Sequence, residues 1–305
     1  MAKLEHDRRF DPAHGSAVPL GDAVRRITAR NAGPFTWQGT NSYLVGRDEI
    51  AVIDPGPEDR DHLELILQTC GTAPVAAILV SHTHADHSPG ARLLQKMTGA
   101  PIVGCGPHVA ARPLFAGEVN PLDASADLEH RPDRELHEGD TLVVDGLTLT
   151  AVETPGHTAN HLAFALDEGR VLFSADHVMA WSTSIVAPPD GSMSAYMASL
   201  DRLMARDDAL YLPGHGGPVQ EPADYLAGLK AHRLAREQAI LARLAAGERT
   251  IPQMVATIYR DVDTRLHGAA ALSVLAQIEW LVERGLVVSD GPPSLAARYS
   301  PAPTA

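Results

Sequence analysis

The stretch that most constrains this chain is residues 81–87, where three histidines and one aspartate lie within six consecutive positions. The preceding run, residues 75–80, is apolar throughout and too short for a typical helix. It predicts a buried strand, although the pattern alone also fits a buried helix segment. Histidines on the loop that leaves a strand can converge on one point. Imidazole nitrogen and carboxylate oxygen together suit zinc, and also iron or manganese, so the stretch predicts a metal site rather than a histidine-rich surface loop.

Three later motifs extend this pattern, and each follows an apolar run. They are Thr-Pro-Gly-His at residues 154–157, Ser-Ala-Asp at residues 174–176 and Pro-Gly-His-Gly at residues 213–216. Together with His-x-His-x-Asp-His at residues 82–87, they resemble the signature of the metallo-β-lactamase superfamily. The resemblance covers about residues 20–220. It implies an α/β fold, an αββα metallo-β-lactamase sandwich followed by a small winged-helix-like C-terminal domain.

The same resemblance implies ligands for two metal ions. The first set is His82, His84 and His157, the second set is Asp86, His87 and His215, and the bridging carboxylate is Asp176. Asp86 and Asp176 are the residues expected to take part directly in catalysis. Two cations about 3.5–4 Å apart lower the pKa of a shared water and clamp the attacking and leaving oxygens. We therefore expect a hydrolase that holds two divalent ions per chain, most simply zinc, and uses a metal-bridging hydroxide.

Two further residues are expected to support the site without binding metal. An aspartate at the position of Asp54 orients the histidine ligands in the superfamily, and a plain turn aspartate before proline is the alternative. His161 lies four residues after His157 and either hydrogen-bonds behind a ligand or simply packs. His177 adjoins Asp176, but neighbouring strand residues point to opposite faces, so we do not expect it to bind metal.

The remaining unusual side chains receive simpler predictions. Exposure is expected for four histidines in helical or loop contexts: His62, His108, His232 and His267. Trp37 and Trp181 either line the mouth of the site or serve as ordinary packing. Cys70 and Cys105 lie beside apolar runs without a CxxC partner, so we expect two reduced, mostly buried thiols.

The bridging aspartate at position 176 narrows the substrate class within the superfamily. Classical zinc β-lactamases lack this aspartate, so β-lactam hydrolysis is disfavoured despite the name. Its presence resembles the hydrolases of thioesters, lactones and phosphodiesters. The related persulfide dioxygenases bind one iron and lack part of the second ligand set, which this chain has complete.

The net charge of −13 is unevenly distributed along the 305 residues. Residues 1–229 carry 16 basic and 31 acidic residues, whereas residues 230–305 carry 9 basic and 7 acidic residues. The net negative charge of the first part does not favour electrostatic binding of bulk nucleic acid. The N-terminal segment has no apolar core of signal-peptide length, and no apolar stretch approaches the length of a membrane span. We expect a cytoplasmic protein without membrane association.

Apolar runs and turn residues predict alternating strands and helices in the first part of the chain. Strands are expected at residues 39–46, 50–56, 75–80, 101–105, 141–152 (a pair around Asp-Gly), 162–166, 170–173 and 210–212. Helices are expected at residues 58–69, from a cap at Ser88 to about residue 97, and at about residues 195–205. Residues 113–138 are expected to form a long loop near the mouth of the site, or a solvated excursion.

The C-terminal part predicts helices at about residues 223–246, 252–260 and 268–284, then a small hairpin, which resembles a winged helix. We predict a hydrolase domain at residues 1–225 and a winged-helix-like domain at residues 226–305. The stretch 37–46 and the start of the helix at residues 232–238 resemble a branch of β-lactamase-like endoribonucleases. That resemblance implies a single-stranded RNA substrate. A hydrolase of small thioesters or lactones, of glyoxalase II or lactonase type, is the alternative, and a non-enzymatic nucleic-acid-binding regulator is a weaker third.

The helix at residues 268–284 contains one arginine and two glutamates, and the turn at residues 289–293 adds an aspartate. These residues cannot supply the phosphate contacts that sequence-specific binding of duplex DNA needs, so we do not expect such binding. The module is expected to pack against the hydrolase domain and shape its entrance, or to pair two chains as a homodimer. Trp280 is expected either at that contact or in the core of the module itself.

Overall fold

The computed structural model describes residues 4–120, 125–168 and 170–303. Part of the predicted long loop at residues 113–138, namely residues 121–124, lies outside the described residues. Two facing sheets form the first part of the chain, and helices lie on their outer faces. A three-helix module with a two-stranded hairpin follows.

The first sheet has seven strands whose spatial order equals their order in the chain. They are β1 (Val18–Pro19), β2 (Val24–Thr28), β3 (Asn41–Val45), β4 (Ile50–Ile53), β5 (Val75–Val80), β6 (Ile102–Gly104) and β7 (Arg134–Glu135). The pairs from β1 to β4 are antiparallel, and those from β4 to β7 are parallel. The predicted strands at residues 39–46, 50–56, 75–80 and 101–105 are therefore confirmed, although β3 and β4 are shorter than expected.

Sequence reasoning missed β1, β2 and β7. Two adjacent arginines interrupt the apolar alternation of β2 in the sequence, but in the structure both side chains make specific contacts. Arg25 donates hydrogen bonds to the carbonyl oxygens of Thr69 and Gly46, and the buried Arg26 lies over the ring of Phe10. The strands β1 and β7 each contain two residues, which is too short for a periodic signal.

The second sheet has five strands, ordered β8 to β12. They are β8 (Thr141–Val144), β9 (Leu147–Glu153), β10 (Leu162–Leu166), β11 (Val171–Ala175) and β12 (Leu210–Pro213). The pair β11–β12 is parallel and the others are antiparallel. Asp145 and Gly146 both have positive φ, 53° and 75°, which is the geometry of a type I′ hairpin turn, so the Asp-Gly prediction is confirmed.

Side-chain alternation in β10 shows how the layers are built. Leu162, Phe164 and Leu166 point into the core between the two sheets. Ala163 and Ala165 point to the other face, where small side chains let a helix pack closely. The helices of the layers are α1 (Arg60–Cys70), α2 (Pro89–Thr98) and α3 (Met193–Met204). The first two pack on the first sheet and α3 packs on the second, which confirms the predicted αββα sandwich.

The predicted N-cap of α2 is confirmed in its position but not in its hydrogen bond. Ser88 precedes α2, but its side chain makes no capping hydrogen bond to the helix. Its hydroxyl donates instead to the carboxylate of Asp127, at 2.7 Å, and Arg92 of α2 binds the same carboxylate. The side chain therefore ties the start of α2 to a distant loop, because a charged acceptor forms a stronger hydrogen bond than a neutral one.

The C-terminal module contains α4 (Pro222–Ala245), α5 (Ile251–Ile258), α6 (His267–Glu283), β13 (Val287–Ser289) and β14 (Tyr299–Pro301). The three predicted helices and the hairpin are therefore confirmed. The module has a core of its own. The predicted domain boundary between residues 225 and 226 falls inside α4, and the boundary stays a prediction.

Helix α6 is shared between two cores. Leu275 and Ile278 lie in the core of the module, whereas Ala276 is buried in the cluster that also contains α3 and the outer face of the second sheet. Trp280 is partly buried against that second cluster. The module therefore packs against the first part of the chain, as predicted, and pairing of two chains stays a prediction. Within the described residues, the helices include none long and apolar enough to span a bilayer.

Candidate metal centre

The first sheet contributes the loop between β5 and α2. This loop carries His82, His84, Asp86 and His87. It is wound tightly, because the backbone N–H groups of His87 and Ser88 both donate to the carbonyl oxygen of His84. The tight turn brings four side chains from one short stretch to a single edge of the sheet.

The second sheet contributes one residue after each of three strands. His157 follows β9, Asp176 follows β11 and His215 follows β12. The end of β12 is joined to the first sheet, since Asn41 donates its backbone N–H to the carbonyl oxygen of Gly214 at 2.7 Å. A Cβ atom at position 214 would lie 2.5 Å from an oxygen of Asp176 and 2.6 Å from a ring carbon of His87, so only glycine fits here.

Three buried imidazoles meet at the first group of candidate metal ligands, which we call the histidine group: His82, His84 and His157. His84 presents Nδ1, which lies 3.1 Å from His82 Nε2 and 2.9 Å from His157 Nε2. Ligands held about 2.0–2.1 Å from a tetrahedral zinc ion are separated by roughly 3.4 Å. The three nitrogens therefore lie at approximately the spacing that a metal ion needs.

The second group, which we call the carboxylate group, consists of Asp86, His87 and His215. The two Nε2 atoms are 3.3 Å apart, and Asp86 Oδ2 lies 3.1 Å from His215 Nε2 and 3.5 Å from His87 Nε2. The side chain of Asp86 is 26% exposed, whereas those of the two histidines are almost fully buried. Asp86 therefore faces the open side of the centre.

Asp176 lies between the two groups. Its carboxylate oxygens are 3.6 Å from His157 Nε2, 3.4 Å from His87 Nε2 and 3.3 Å from His215 Nε2. Its Oδ1 atom is buried and receives no hydrogen bond from the described residues. A buried carboxylate oxygen without a donor is costly unless a cation compensates it. The residues at this edge thus fit a metal site, as the cluster of histidines and aspartates is able to bind metal ions.

Burial and charge divide the five histidines by protonation state. Burial holds the pKa of His84 at about 3 and also lowers the pKa values of His82 and His157, so these imidazoles are neutral, as metal ligands must be. Burial acts in the same direction on the other two, but nearby carboxylates override it. Asp176 and Asp86 raise the pKa of His215 to about 9, and Asp86, Asp176 and Asp54 raise that of His87 well above 6.5.

Asp54 stands behind the ligands, where its predicted supporting role would place it. It accepts hydrogen bonds from the backbone N–H and the hydroxyl of Ser81, and its Oδ2 lies 2.9 Å from Nδ1 of His87. Because the hydroxyl of Ser81 is donated to Asp54, its oxygen is free to accept from His82 Nδ1, 2.9 Å away. Both rings are thereby turned so that Nε2 faces the centre.

His161, the other predicted supporting residue, contacts the backbone of a ligand. Its Nε2 accepts the backbone N–H of Asp176, at 3.3 Å, so Nδ1 carries the proton and donates to the hydroxyl of Thr154 at 2.8 Å. His177 is buried and packs on the ring of Tyr196, 4.4 Å between centroids, away from the ligand groups.

Four histidines depart from the expected exposure. His62 is 5% exposed, and its Nε2 lies 2.8 Å from the hydroxyl of Ser42. Burial lowers the pKa of His62 to about 4. The prediction failed because α1 buries a wider face than its leucine and isoleucine positions suggested. Partial burial rather than exposure is found for the other three: His108, His232 and His267.

The two tryptophans lie beside the centre. The rings of Trp37 and Trp181 stack with centroids 5.4 Å apart and planes inclined by 14°. They cover Gly216, where a Cβ atom would approach Trp181 to 2.8 Å. Since Gly216 follows His215, the stack lies against the loop that carries this ligand, and both rings are half-buried.

Several neighbours of the ligands were not predicted. The hydroxyl of Thr40 donates to Asp86 at 3.3 Å, and the ring of His157 donates from Nδ1 to the carbonyl oxygen of Ile185 at 2.6 Å. Thr40 belongs to a Gly-Thr-Asn stretch that precedes a strand, which was the available signal. A backbone carbonyl oxygen is present in every residue, so the sequence does not indicate that Ile185 accepts the hydrogen bond from His157.

Comparisons with known proteins agree with this geometry. Residues 35–215 match the family model described as the metallo-beta-lactamase superfamily, and residues 250–292 match that of the beta-lactamase associated winged helix domain. The curated relatives include an atrochrysone carboxyl ACP thioesterase of Cryptosporiopsis sp., 28% identical over 83% of this chain and 78% of its own length. They also include a beta-lactamase-like protein 2 homolog of Caenorhabditis elegans, 28% identical over 88% of this chain and 87% of its own length.

Solved structures show the same fold over nearly the whole chain. A metallo-beta-lactamase family protein from Thermus thermophilus is 27% identical and has a TM-score of 0.75, with 93% of this chain and 100% of that chain covered. A beta-lactamase domain protein from Burkholderia ambifaria, 24% identical, has a TM-score of 0.79 over 95% and 96% of the two chains. The chain therefore belongs to the metallo-β-lactamase superfamily of metal-dependent hydrolases, and it carries the winged-helix domain associated with that family.

Proposed function

We propose that this protein hydrolyses acyl thioesters with two zinc ions bound at the metal centre. The observation that carries the proposal is the position of Asp176, whose carboxylate contacts both the histidine group and the carboxylate group. One ion would be held by the histidine group and the other by the carboxylate group, with Asp176 between them. Two such cations lower the pKa of a water held at the centre and stabilise negative charge on an attacked carbonyl oxygen.

The protein residues divide the remaining tasks. Asp176 keeps the two groups at a fixed separation, and its own backbone is held by His161. Asp86 lies on the open side, and although burial acts in the opposite direction, His87 and His215 hold the pKa of its carboxyl group well below the usual range, so it stays ionised and can orient the attacking water by accepting a hydrogen bond from it. The hydroxyl of Thr40 holds one oxygen of Asp86, which leaves the other oxygen free for this role.

Three loops contact residues of the centre, and we call them the mouth loops: residues 31–39, 106–120 and 177–190. Each contacts a residue of the site. Gly39 and Ile185 accept hydrogen bonds from the rings of His215 and His157, and His108 lies 2.9 Å from the hydroxyl of Thr83, between the first two ligands. The chemistry of these loops therefore bears on which substrate reaches the metals.

The mouth loops are apolar and carry little charge. Their charged residues are one arginine, one glutamate and one aspartate. The arginine, Arg112, is paired with Glu118 at 2.7 Å, so it is not free to bind a phosphate. Large apolar side chains are exposed on the same loops: Phe35, Val109, Leu114 and Val119. An acyl chain suits this surface better than a polyanion does, because binding RNA requires unpaired cations along its path.

The named activity of one relative supports the same substrate class. The Cryptosporiopsis protein is named as a thioesterase that acts on an acyl carrier protein, and this chain covers more than two thirds of its length. The identity of 28% is low, so the likeness supports thioester hydrolysis as a class rather than that particular acyl group.

Cleavage of single-stranded RNA is the second candidate. It is favoured by the winged-helix match at residues 250–292 and by the resemblance of residues 37–46 to the endoribonuclease branch. The stacked pair Trp37 and Trp181 also offers an aromatic surface near the metals. The charge of the mouth loops weighs against it. Lactone hydrolysis requires the same attack on a carbonyl carbon as thioester hydrolysis. The two activities are therefore distinguished by measuring turnover of each substrate.

The metal content can be measured first. Protein purified without chelator should contain about two zinc ions per chain by elemental analysis, because the ligands form two groups. A stoichiometry that stays at one or below after reconstitution with zinc would remove the dinuclear mechanism.

The substrate class can then be tested with the reconstituted protein. We expect zinc-dependent release of free thiol from acyl-coenzyme A thioesters, and no comparable turnover of a single-stranded RNA oligonucleotide or an acyl-homoserine lactone. The Asp176→Ala variant serves as the control for contaminating activity. Metal-dependent cleavage of the RNA without thiol release would contradict the proposal and establish the second candidate.

A further inference from the structure

Arg233 of α4 is a buried cation outside the described ligand set. It is 4% exposed, and one guanidinium nitrogen donates to the carbonyl oxygen of Ser184 at 2.6 Å. Its guanidinium carbon lies 4.8 Å from the ring centroid of Tyr196. Among the described residues, none supplies a carboxylate within ion-pair distance of Arg233. Burying a guanidinium without a carboxylate is costly, so this arrangement calls for a reason.

The segment that Arg233 binds also holds two metal ligands. The hydroxyl of Ser184 lies within hydrogen-bonding distance of the carbonyl oxygens of Asp176 and His177, the latter at 2.8 Å. The next residue, Ile185, accepts the Nδ1 proton of His157. Residues 184 and 185 therefore hold the bridging carboxylate through its backbone and one imidazole through its ring.

The C-terminal module holds Arg233 in turn. The side-chain amide of Gln277, on α6, donates to the backbone carbonyl oxygen of Arg233 at 3.3 Å. One helical turn further along α4, the buried Glu237 accepts a hydrogen bond from Arg284 at 2.6 Å. A continuous series of hydrogen bonds therefore connects α6 to Arg233 of α4, Arg233 to Ser184, and residues 184 and 185 to Asp176 and His157.

We infer that Arg233 is a positioning residue of the metal centre, through which the winged-helix module sets the geometry of Asp176 and His157. The buried charge favours a polar acceptor, and the carbonyl oxygen of Ser184 is the acceptor it reaches. That hydrogen bond fixes residues 184 and 185, which in turn fix the two ligands. The module thus supports metal binding from behind the centre, in addition to any part it plays in substrate entry.

The inference is tested on the full-length protein by zinc affinity, which needs no substrate. Metal-free protein is titrated with zinc against a competing chelator for Arg233→Met, Arg233→Lys and the parent chain. Partners that hydrogen-bond to metal ligands typically change metal affinity by about 10–100-fold. Because Arg233 acts through one further residue, we expect Arg233→Met to weaken zinc binding by about tenfold and Arg233→Lys, which keeps a donor, to restore part of the loss.

The matched control is Arg236→Met. This residue lies on the same helix, and its guanidinium stacks over Tyr259 within the module, 4.7 Å from the ring centroid. The substitution removes the same charge and a contact with a tyrosine ring, at a partly buried position that has no hydrogen bond to residues 177–190. We expect its zinc affinity to stay within about twofold of the parent. The absorption spectrum of the cobalt(II) form should change for Arg233→Met and not for Arg236→Met, since it reports ligand geometry.

A purely structural role for Arg233 predicts a different result. The thermal midpoint of metal-free Arg233→Met would then fall while zinc affinity and the cobalt spectrum stayed unchanged, and that outcome would overturn the inference. If Arg233→Met does not fold, Ser184→Ala tests the next contact in the series, because it keeps the carbonyl oxygen that Arg233 binds and removes the hydroxyl that reaches the carbonyl oxygens of Asp176 and His177. Zinc affinity of Ser184→Ala within about twofold of the parent would then refute the inference. Both results are independent of whether the substrate is a thioester.

Discussion

The two groups of candidate ligands at the metal centre differ in the protonation of their histidines. In the histidine group, burial and neighbouring imidazoles keep the rings neutral, so lone pairs face one another about 3 Å apart. In the carboxylate group, Asp86 and Asp176 hold protons on His87 and His215, so charge is already compensated without a metal. The first group can therefore bind a cation without losing protons, whereas the second must release protons to bind one.

The largest effect is expected where both groups depend on a single residue. Asp176→Ala should lower kcat by at least about a hundredfold, because losing this carboxylate removes at least about 2.7 kcal/mol of transition-state stabilisation. Steady-state kinetics measure the loss, and elemental analysis should show less than two zinc ions per chain. The fold should persist by circular dichroism, since the side chain follows a strand rather than filling the core. A near-normal rate would place the chemistry elsewhere.

The pH dependence of zinc binding should separate the two groups. His215, with a pKa of about 9 in the metal-free protein, is protonated at neutral pH and must lose that proton to bind zinc. His84, with a pKa of about 3, has no proton to lose above pH 6. One stepwise zinc constant should therefore tighten by about tenfold or more per pH unit between pH 6 and 8, while the other changes little.

This test uses chelator competition at fixed ionic strength on metal-free protein. Equal pH slopes for the two stepwise constants would show that the two groups do not differ in protonation. The direction of the pH effect on zinc affinity is also predicted. Zinc binding that becomes tighter at lower pH would be incompatible with proton release from a histidine whose pKa is raised.

A smaller and more selective effect is expected from Asp54→Asn. The carboxylate of Asp54 contacts His87 directly, but it reaches His82 only through Ser81. The substitution should therefore weaken the zinc constant of the carboxylate group by about tenfold and that of the histidine group by less. Asp59→Asn, at the exposed start of α1, is a suitable control because its carboxylate caps a helix away from the metals. Equal weakening of both constants would argue against a selective role.

The smallest effect should come from His161→Gln. His161 accepts a single backbone hydrogen bond from Asp176, at 3.3 Å, and a glutamine amide oxygen can accept the same bond. We expect a few-fold decrease in kcat/KM with both zinc ions retained. Loss of a zinc ion from this variant would show that His161 takes a larger part in the centre than its contacts indicate.

Sequence reasoning located the ligand motifs because each is a short local pattern after an apolar run. The strand β5 and the loop after it could be predicted from twelve or so consecutive residues, and the hairpin at Asp145 from its turn chemistry. It failed where burial depends on what packs from elsewhere. His62 looked like an exposed helical residue, yet it meets Ser42 of a strand twenty positions away. Arginines in β2 concealed a strand whose charges are satisfied by distant carbonyl groups.

By itself, the sequence determined the candidate metal-binding side chains, the superfamily and the order of most of the elements, since these depend on residue type and local spacing. Only the tertiary structure decided the distances from Asp176 to both groups, the pairing of Arg112 in the mouth loops, and the contact of Arg233 with the segment that holds Asp176 and His157. Arg233 and Ser184 are 49 residues apart. A contact of that kind arises from how the layers pack, and neither periodicity nor motif spacing encodes it.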